Sequence, residues 1–380
     1  MLIRSPLRTA ALCGAMLLLA AASAPAATLQ ATPGRIGAVL RTAQPGDVVQ
    51  LRAGTYRDDV TVPAFTGDVT IRACPGEKPI LVTPTFTGGR HLRLQGLDLR
   101  GIVVRDTDDL TVTESTITVG GAMFYGTDRL TVSANTAHDA WDGFVFNDAM
   151  DVTFTDNQCW SIPTASRASG GDCVQLARTH RFTILRNVFR DQPIKPHVDA
   201  VEAICGNTDG LIAYNRFSNV RGIVVTPGDN TPGVPQDRFT IVNNLFAKTR
   251  TFAFNGVVMR DSKFLHNTGP DGGYVQIGGV SSRWVVAGNI MRQFLVDPAR
   301  AAQWITTEDY NLMASVRAGY RKGGHSTIGA ATFVNAAAGD YRLAPGSTGI
   351  GAGTLSWMPS DDLYGTVRTL PDLGAIAYER

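Results

Sequence analysis

Seven segments of this chain carry an asparagine in the same local frame: "LTVSANTA", "VTFTDNQCW", "FTILRNVF", "LIAYNRF", "FTIVNNLF", "SKFLHNTG" and "WVVAGNIM". The amides are those of Asn135, Asn157, Asn187, Asn215, Asn244, Asn267 and Asn289. Three positions ahead of each stands an apolar residue: Val132, Phe154, Ile184, Ile212, Ile241, Phe264 and Val286. Two positions after come Ala137, Cys159, Phe189, Phe217, Phe246, Gly269 and Met291. The frame runs back through Ser115, Leu97 and Cys74, with intervals of 23, 18, 20, 22, 30, 28, 29, 23 and 22 residues. A strand of period two, a turn residue and a second strand, recurring at this interval, suit a chain wound into stacked coils. Each strand then pairs in parallel with its counterpart one coil away. The asparagines would form a ladder inside the turn, because Asn tolerates left-handed backbone and satisfies turn backbone groups. Phe189, Phe217 and Phe246 would stack as a ladder in the core.

This pattern resembles the right-handed parallel β-helix proteins, the pectate-lyase-like superfamily, over nearly the whole mature chain. "AQPGDVVQLRAGTYRDDV" looks like the opening segment of such proteins, and "GDYRLAPGSTGIGAG" with "PDLGAIAYE" looks like their closing segment. The expected fold is all-β: a single-stranded right-handed parallel β-helix of nine to ten coils over residues 27–300, with residues 301–380 as end coils and cap. His325 and "EDYNL" at 308–312 fall in that cap. The architecture hosts lyases, hydrolases, epimerases and structural proteins, so function has to be argued from individual residues.

Residues 1–26 read as a secretory leader, with Arg4 and Arg8 ahead of an apolar run from Ala10 to Ala22 and small residues near Ala24 and Ala26. The mature protein is expected to be secreted or periplasmic. Leu12 precedes Cys13, against lipidation, and no later apolar run is long enough to cross a bilayer, so no membrane insertion is expected. Without Arg4 and Arg8 the 35 basic residues fall to 33, equal to the acidic count. A balanced chain has no global field to draw nucleic acid, and a charged substrate must be read by a local patch. Four cysteines remain, without zinc-site spacing. Cys159, in register with the phenylalanines, reads as a buried thiol, while Cys173 and Cys205 lie on neighbouring coils and are candidates for a bridge. Capped ends favour a monomer.

The three intervals from Asn157 to Asn244 are longer than the others, at 30, 28 and 29 residues. The excess lies in "SIPTASRASGG", "RDQPIKPH" and "TPGDNTPGVPQ", and loops growing on neighbouring coils can wall a cleft on a smooth rod. Aligning "DGFVFN", "GDCVQLA", "VDAVEAI", "RGIVVT" and "RTFAFN" stacks Asp142, Asp172, Asp199, Arg221 and Arg250 in one column. Val145, Gln175, Glu202, Val224 and Ala253 form the outward column beside it. Strands one coil apart lie about 4.8 Å from each other, and carboxylates at that spacing repel unless a cation, a proton or a base sits among them.

Secreted β-helices of the type this chain resembles hold acidic polysaccharides along a sheet face, and their lyases cleave uronate polymers by β-elimination. That implies an enzyme whose substrate carboxylate is neutralised by Ca²⁺ or by basic side chains, with a base to take the C5 proton. Asp172, Asp199 and Glu202 offer the oxygen ligands calcium prefers, with Gln175 as a fourth. Lys195, Arg178 or Arg221 would be base or carboxylate clamp, and His197 the alternative base, its pKa lying nearest neutrality. Arg178, Gln175, Arg250 and Trp141 are the expected substrate contacts, with Trp160 also flanking the region. "KPHVD" is similar to the "DPHD" motif of β-helical mannuronan epimerases at Pro196 and His197, but Lys195 replaces the leading acid and Asp199 comes one residue late. Alternatives on the same scaffold are a glycoside hydrolase, a C5-epimerase and a non-catalytic glycan-binding or envelope β-helix.

Overall fold

The computed structural model describes residues 25–162, 171–193, 198–227, 234, 236–249 and 251–379. The chain winds into a right-handed parallel β-solenoid of about 12 coils, slightly more than the asparagine frame marks. The frame undercounts at the ends. Thr28–Ala31 pairs in parallel with Val48–Leu51 ahead of its first mark, and Ile305–Asp309 extends the same sheet beyond Asn289.

Each central coil has three strands where the sequence repeat shows two. In one coil these are Met150–Thr155, Gln158–Trp160 and Val174–Ala177, each pairing in parallel with its counterparts in the next coil. The middle strand is only three residues long and follows its asparagine directly, so from the sequence it reads as part of the turn. Alternate residues point inward along every strand. Phe144, Phe146, Val174, Leu176, Val201, Ala203, Ile223 and Val225 are all fully buried, which builds one continuous apolar core.

The asparagine ladder is continuous. The Asn157 Oδ1 accepts from the Asn135 backbone N–H at 2.9 Å and from its amide at 3.0 Å, and the same pair of bonds recurs through Asn187, Asn215, Asn244, Asn267 and Asn289. It extends one coil further than expected, to Asn311, and ends on the Ser326 hydroxyl. The left-handed residue is not the asparagine but its predecessor: Ala134, Asp156, Arg186, Tyr214, Asn243, His266 and Tyr310 all have φ between 47° and 58°. The asparagine therefore serves as the bonding group of a bend that the preceding residue makes. Phe189, Phe217 and Phe246 stack at 5.0 and 4.7 Å between centroids.

A second ladder, of charge, runs along an exposed turn. His91, Asp109, Arg129, Asp151, Arg181, Asp209, Arg238, Asp261 and Arg283 follow one another coil by coil. Ion pairs join Arg129 to Asp109 at 2.6 Å, Arg181 to Asp151 at 2.7 Å and Arg238 to Asp209 at 2.6 Å, and Arg283 pairs with Asp261.

Beyond the last coil the chain turns back along the rod. Tyr214 donates to the Asp361 carboxylate at 2.6 Å, Arg368 donates to the Asn243 side chain at 3.2 Å, and the Ala375 N–H donates to Thr268 Oγ1 at 2.8 Å. His325 stacks on Tyr310 at 4.5 Å, and Glu308, at the position where earlier coils place an apolar residue, accepts from Asn311, Gly323 and Ser326.

Candidate active site

The carboxyl column forms as the alternation requires. Strand Val174–Ala177 pairs with Asp199–Ile204, setting Gln175 beside Glu202, and Asp199–Ile204 pairs with Arg221–Val225, setting Asp199 beside Arg221. Asp142, at the head of the column, accepts the backbone N–H groups of Gly171 at 2.7 Å and Asp172 at 3.3 Å. It fixes the approach to Asp172 through these two bonds. The Asp172 carboxylate in turn accepts the Asp199 N–H at 2.6 Å. Each carboxyl thus organises the backbone of the next coil.

Asp172 and Asp199 are each 1% exposed, whereas Glu202 and Gln175 are partly exposed on the outward face. Burial pushes the Asp172 carboxyl well above the usual range, and the negative charges of Glu202 and Asp199 push it the same way. A side-chain hydrogen bond with Glu202 raises it further. Asp199 is pushed up to about 7, chiefly by burial; the Arg221 guanidinium opposes that shift and Glu202 adds to it. Burial also raises Asp142, against its two backbone donors. The Asp199 to Arg221 ion pair is 3.1 Å long, and Gln175 donates to Glu202 at 3.0 Å. The result is one deeply buried carboxyl on which charge is disfavoured, one carboxyl paired with an arginine, and one partly exposed carboxyl held from two sides.

Several expectations are corrected. The strand after Arg221–Val225 is displaced by two residues from the expected alignment: Ile223 pairs with Phe254, so Asn255, not Ala253, follows Glu202 and Val224 in the outward column. Phe252 takes the place expected of Arg250, its ring 4.8 Å from the Arg221 guanidinium. A slip of two preserves the inward and outward phase, so alternation alone does not reveal it. Arg178 lies outside the cluster, bonded to Asp148 and Asn147 at 2.5 Å. Trp141 is 38% exposed beside Asp142, while Trp160 stands in another strand between His138 at 5.1 Å and Arg190 at 4.2 Å. Lys195, His197 and Arg250 lie outside the described residues.

The cysteines pair differently from expectation. Cys159 and Cys173 form a disulfide with Cα atoms 5.9 Å apart, and Cys205 and Cys74 are free. Cys159 is the inward residue of the short middle strand and Cys173 directly precedes the third strand of the same coil, so the bridge closes the base of the first insertion. Gly143 passes close enough that a Cβ there would sit 2.4 Å from the Cys173 carbonyl oxygen, which restricts the position to glycine.

Calcium takes six to eight oxygen ligands in an open shell. Among the described residues no three His, Cys, Asp or Glu side chains converge on a metal position. Asp172 turns its oxygens to the Asp199 N–H and to Glu202, and Asp199 faces Arg221. Turned to partners within the chain, these donors do not fit a calcium shell as they stand.

Coil winding, internal ladders and an acid-rich patch on one sheet define a right-handed parallel β-solenoid. Residues 85–269, just under half of the chain, match the family model described as the right handed beta helix region, and the flanking coils continue the same sheets, so the fold is a right-handed parallel β-helix. Comparison with curated protein sequences finds no match. Among solved structures, it is similar to the A-module of the mannuronan C-5 epimerase AlgE6 from Azotobacter vinelandii, with a TM-score of 0.54 and 16% identity over 77% of this chain and 93% of that one. Looser likenesses are to the pectate lyase Pel9A, TM-score 0.40 at 13% identity over 93% and 96%, and to an alginate lyase from Paenibacillus sp. str. FPU-7, TM-score 0.36 at 14% identity over 67% and 94%. No helix among the described residues is long and apolar enough to cross a membrane.

Proposed function

We propose that this chain is a secreted polysaccharide lyase that cleaves a uronate-containing polymer by β-elimination at the Asp172, Asp199, Glu202 and Arg221 cluster. The observation that carries the reading is the division of labour among three carboxyls on two adjacent coils. Asp172 is buried where charge is disfavoured and Asp199 faces Arg221, which leaves Glu202 as the partly exposed carboxyl, fixed by Gln175. β-Elimination requires the substrate carboxylate to be neutralised and the C5 proton removed. Arg221 is the positive charge at the cluster suited to the first task. His197, two residues ahead of Asp199 in sequence, is the proposed base for the second, with Lys195 as its alternate. The likeness to a C-5 epimerase module supports this chemistry, since epimerisation and elimination begin by removing the same proton.

The test is ultraviolet absorbance of the unsaturated product while the protein is incubated with a panel of uronate polymers, with calcium and then with chelator. The expected result is a rise that Asp199→Ala and His197→Ala abolish without loss of fold. A rise lost on chelation assigns charge neutralisation to calcium, and one that survives assigns it to Arg221. A flat trace on every polymer, with deuterium entering the sugar from heavy water, would replace lyase by epimerase.

A further inference from the structure

The outward column that holds Glu202 continues past the cluster: Glu202 pairs with Val224, Val224 with Asn255, Asn255 with Gln276 and Gln276 with Leu295. At about 4.8 Å per coil, Asn255 and Gln276 lie about 10 and 14 Å from Glu202 along the rod axis. The Asn255 Oδ1 is buried and has no hydrogen-bond partner. A buried acceptor left unsatisfied is costly, and an outward-facing one suits a donor brought by a ligand.

Two residues before Gln276, at Tyr274, the surface opens into a cavity of about 360 Å³ lined by Thr251, Gly273, Tyr274, Arg292 and Gln293. Tyr274 and Gln293 are partners on adjacent coils, both partly exposed on the outward face. Arg292 is exposed, and among the described residues its guanidinium donates only to the Gly272 carbonyl, at 3.4 Å. Many arginines on the rod's exposed turns are tied to an aspartate one coil away, as Arg129, Arg181 and Arg238 are; Arg292 has no carboxylate partner among the described residues. The cavity thus offers a guanidinium with no carboxylate partner among the described residues, an aromatic ring and the Gln293 amide within two coils of one another, on the sheet that carries the carboxyl cluster.

We propose that this cavity is a binding subsite for one carboxylated sugar residue of a polymer lying along the rod from Glu202 toward the C-terminal coils. Arg292 takes the carboxylate, Tyr274 packs against the ring, and Asn255 with Gln276 receives hydroxyls of the residue between subsite and cluster. The assignment rests on the polysaccharide reading above, and adds to it a direction for the chain and an anionic requirement about four coils from the reacting bond. Recognition of a carboxylate by a planar guanidinium also separates a uronate from its neutral counterpart.

The experiment is calorimetric binding of oligogalacturonate and oligomannuronate, each beside a carboxyl-reduced oligomer of matched length, to the wild-type protein and to Arg292→Gln, Tyr274→Ala and Asn255→Ala. Arg292→Gln is expected to weaken the acidic oligomer by about tenfold or more while leaving the neutral oligomer unchanged. Tyr274→Ala is expected to weaken both, and Asn255→Ala likewise by less. Equal affinity of wild type and Arg292→Gln for the acidic oligomers overturns the subsite even where elimination persists. Arg292-dependent binding without unsaturated product from any polymer upholds the subsite and overturns the lyase. Absence of binding to every oligomer overturns both.

Discussion

At the residue scale the candidate site is a problem in where protons sit. A carboxyl whose pKa in the folded state lies above its unfolded value binds its proton more tightly when folded, so its contribution to stability is greatest at acid pH and falls as pH rises. For Asp199 that loss spans the window from 3.8 to about 7, and Asp172 acts in the same direction. Asp172→Asn keeps the acceptor for the Asp199 N–H and is neutral at every pH. Thermal denaturation should therefore show wild type and variant converging in acid, with the variant gaining stability over wild type toward neutral and alkaline pH. Parallel curves would mean that Asp172 is ionised throughout. The grouping of Asp172, Asp199, Gln175 and Glu202 was legible because period-two alternation and one coil of offset are both visible in sequence. The places of Phe252 and Asn255 were not, because a slip of two residues leaves the alternation intact.

At the scale of the element, the turn that follows each sheet strand owes its shape to two adjacent residues with separate tasks. A left-handed residue makes the bend and an asparagine closes its bonds. Asn215 accepts from the Asn187 N–H and amide and donates to Asn244 and to the Ile184 carbonyl, all in the buried interior. Asn215→Ala leaves several of these groups unsatisfied, and a loss of about 2–4 kcal/mol is expected in denaturant unfolding. A change below about 0.5 kcal/mol would mean that water takes over the ladder. Seven rungs were readable because an asparagine stood three residues after an apolar position each time. Asn311 escaped because Glu308 stands at that position, even though the 22-residue interval from Asn289 was in plain sight. The disulfide escaped for a different reason: Cys159 and Cys173 belong to one coil, and comparing neighbouring coils pointed to Cys205 instead.

For the whole molecule, stability is distributed along one dimension, each coil resting on its two neighbours. Removing the bridge with Cys159→Ser and Cys173→Ser together should cost about 2–4 kcal/mol. Because Cys173 directly follows Asp172, the same variant should lower turnover in the proposed elimination more than a distant core change of equal stability cost. Phe217→Ala, in the middle of the stacked rings, should cost about 3–5 kcal/mol and broaden the unfolding transition as the two flanks begin to melt separately. A single sharp transition of unchanged width would show that the back-folded C-terminal segment, rather than coil-to-coil stacking, enforces cooperativity.

The alternating column from His91 to Arg283 limits how such a rod can lengthen. Sign changes at every coil, so its chemical period is two coils although its geometric period is one. Duplicating a single coil within this stretch would set aspartate against aspartate or arginine against arginine at the new joint, whereas duplicating two coils would leave every neighbour opposite in sign. Each exposed pair is worth little by itself. As a parity rule, the column makes insertion or deletion of coils in even numbers the quiet route for this rod's evolution and for its redesign.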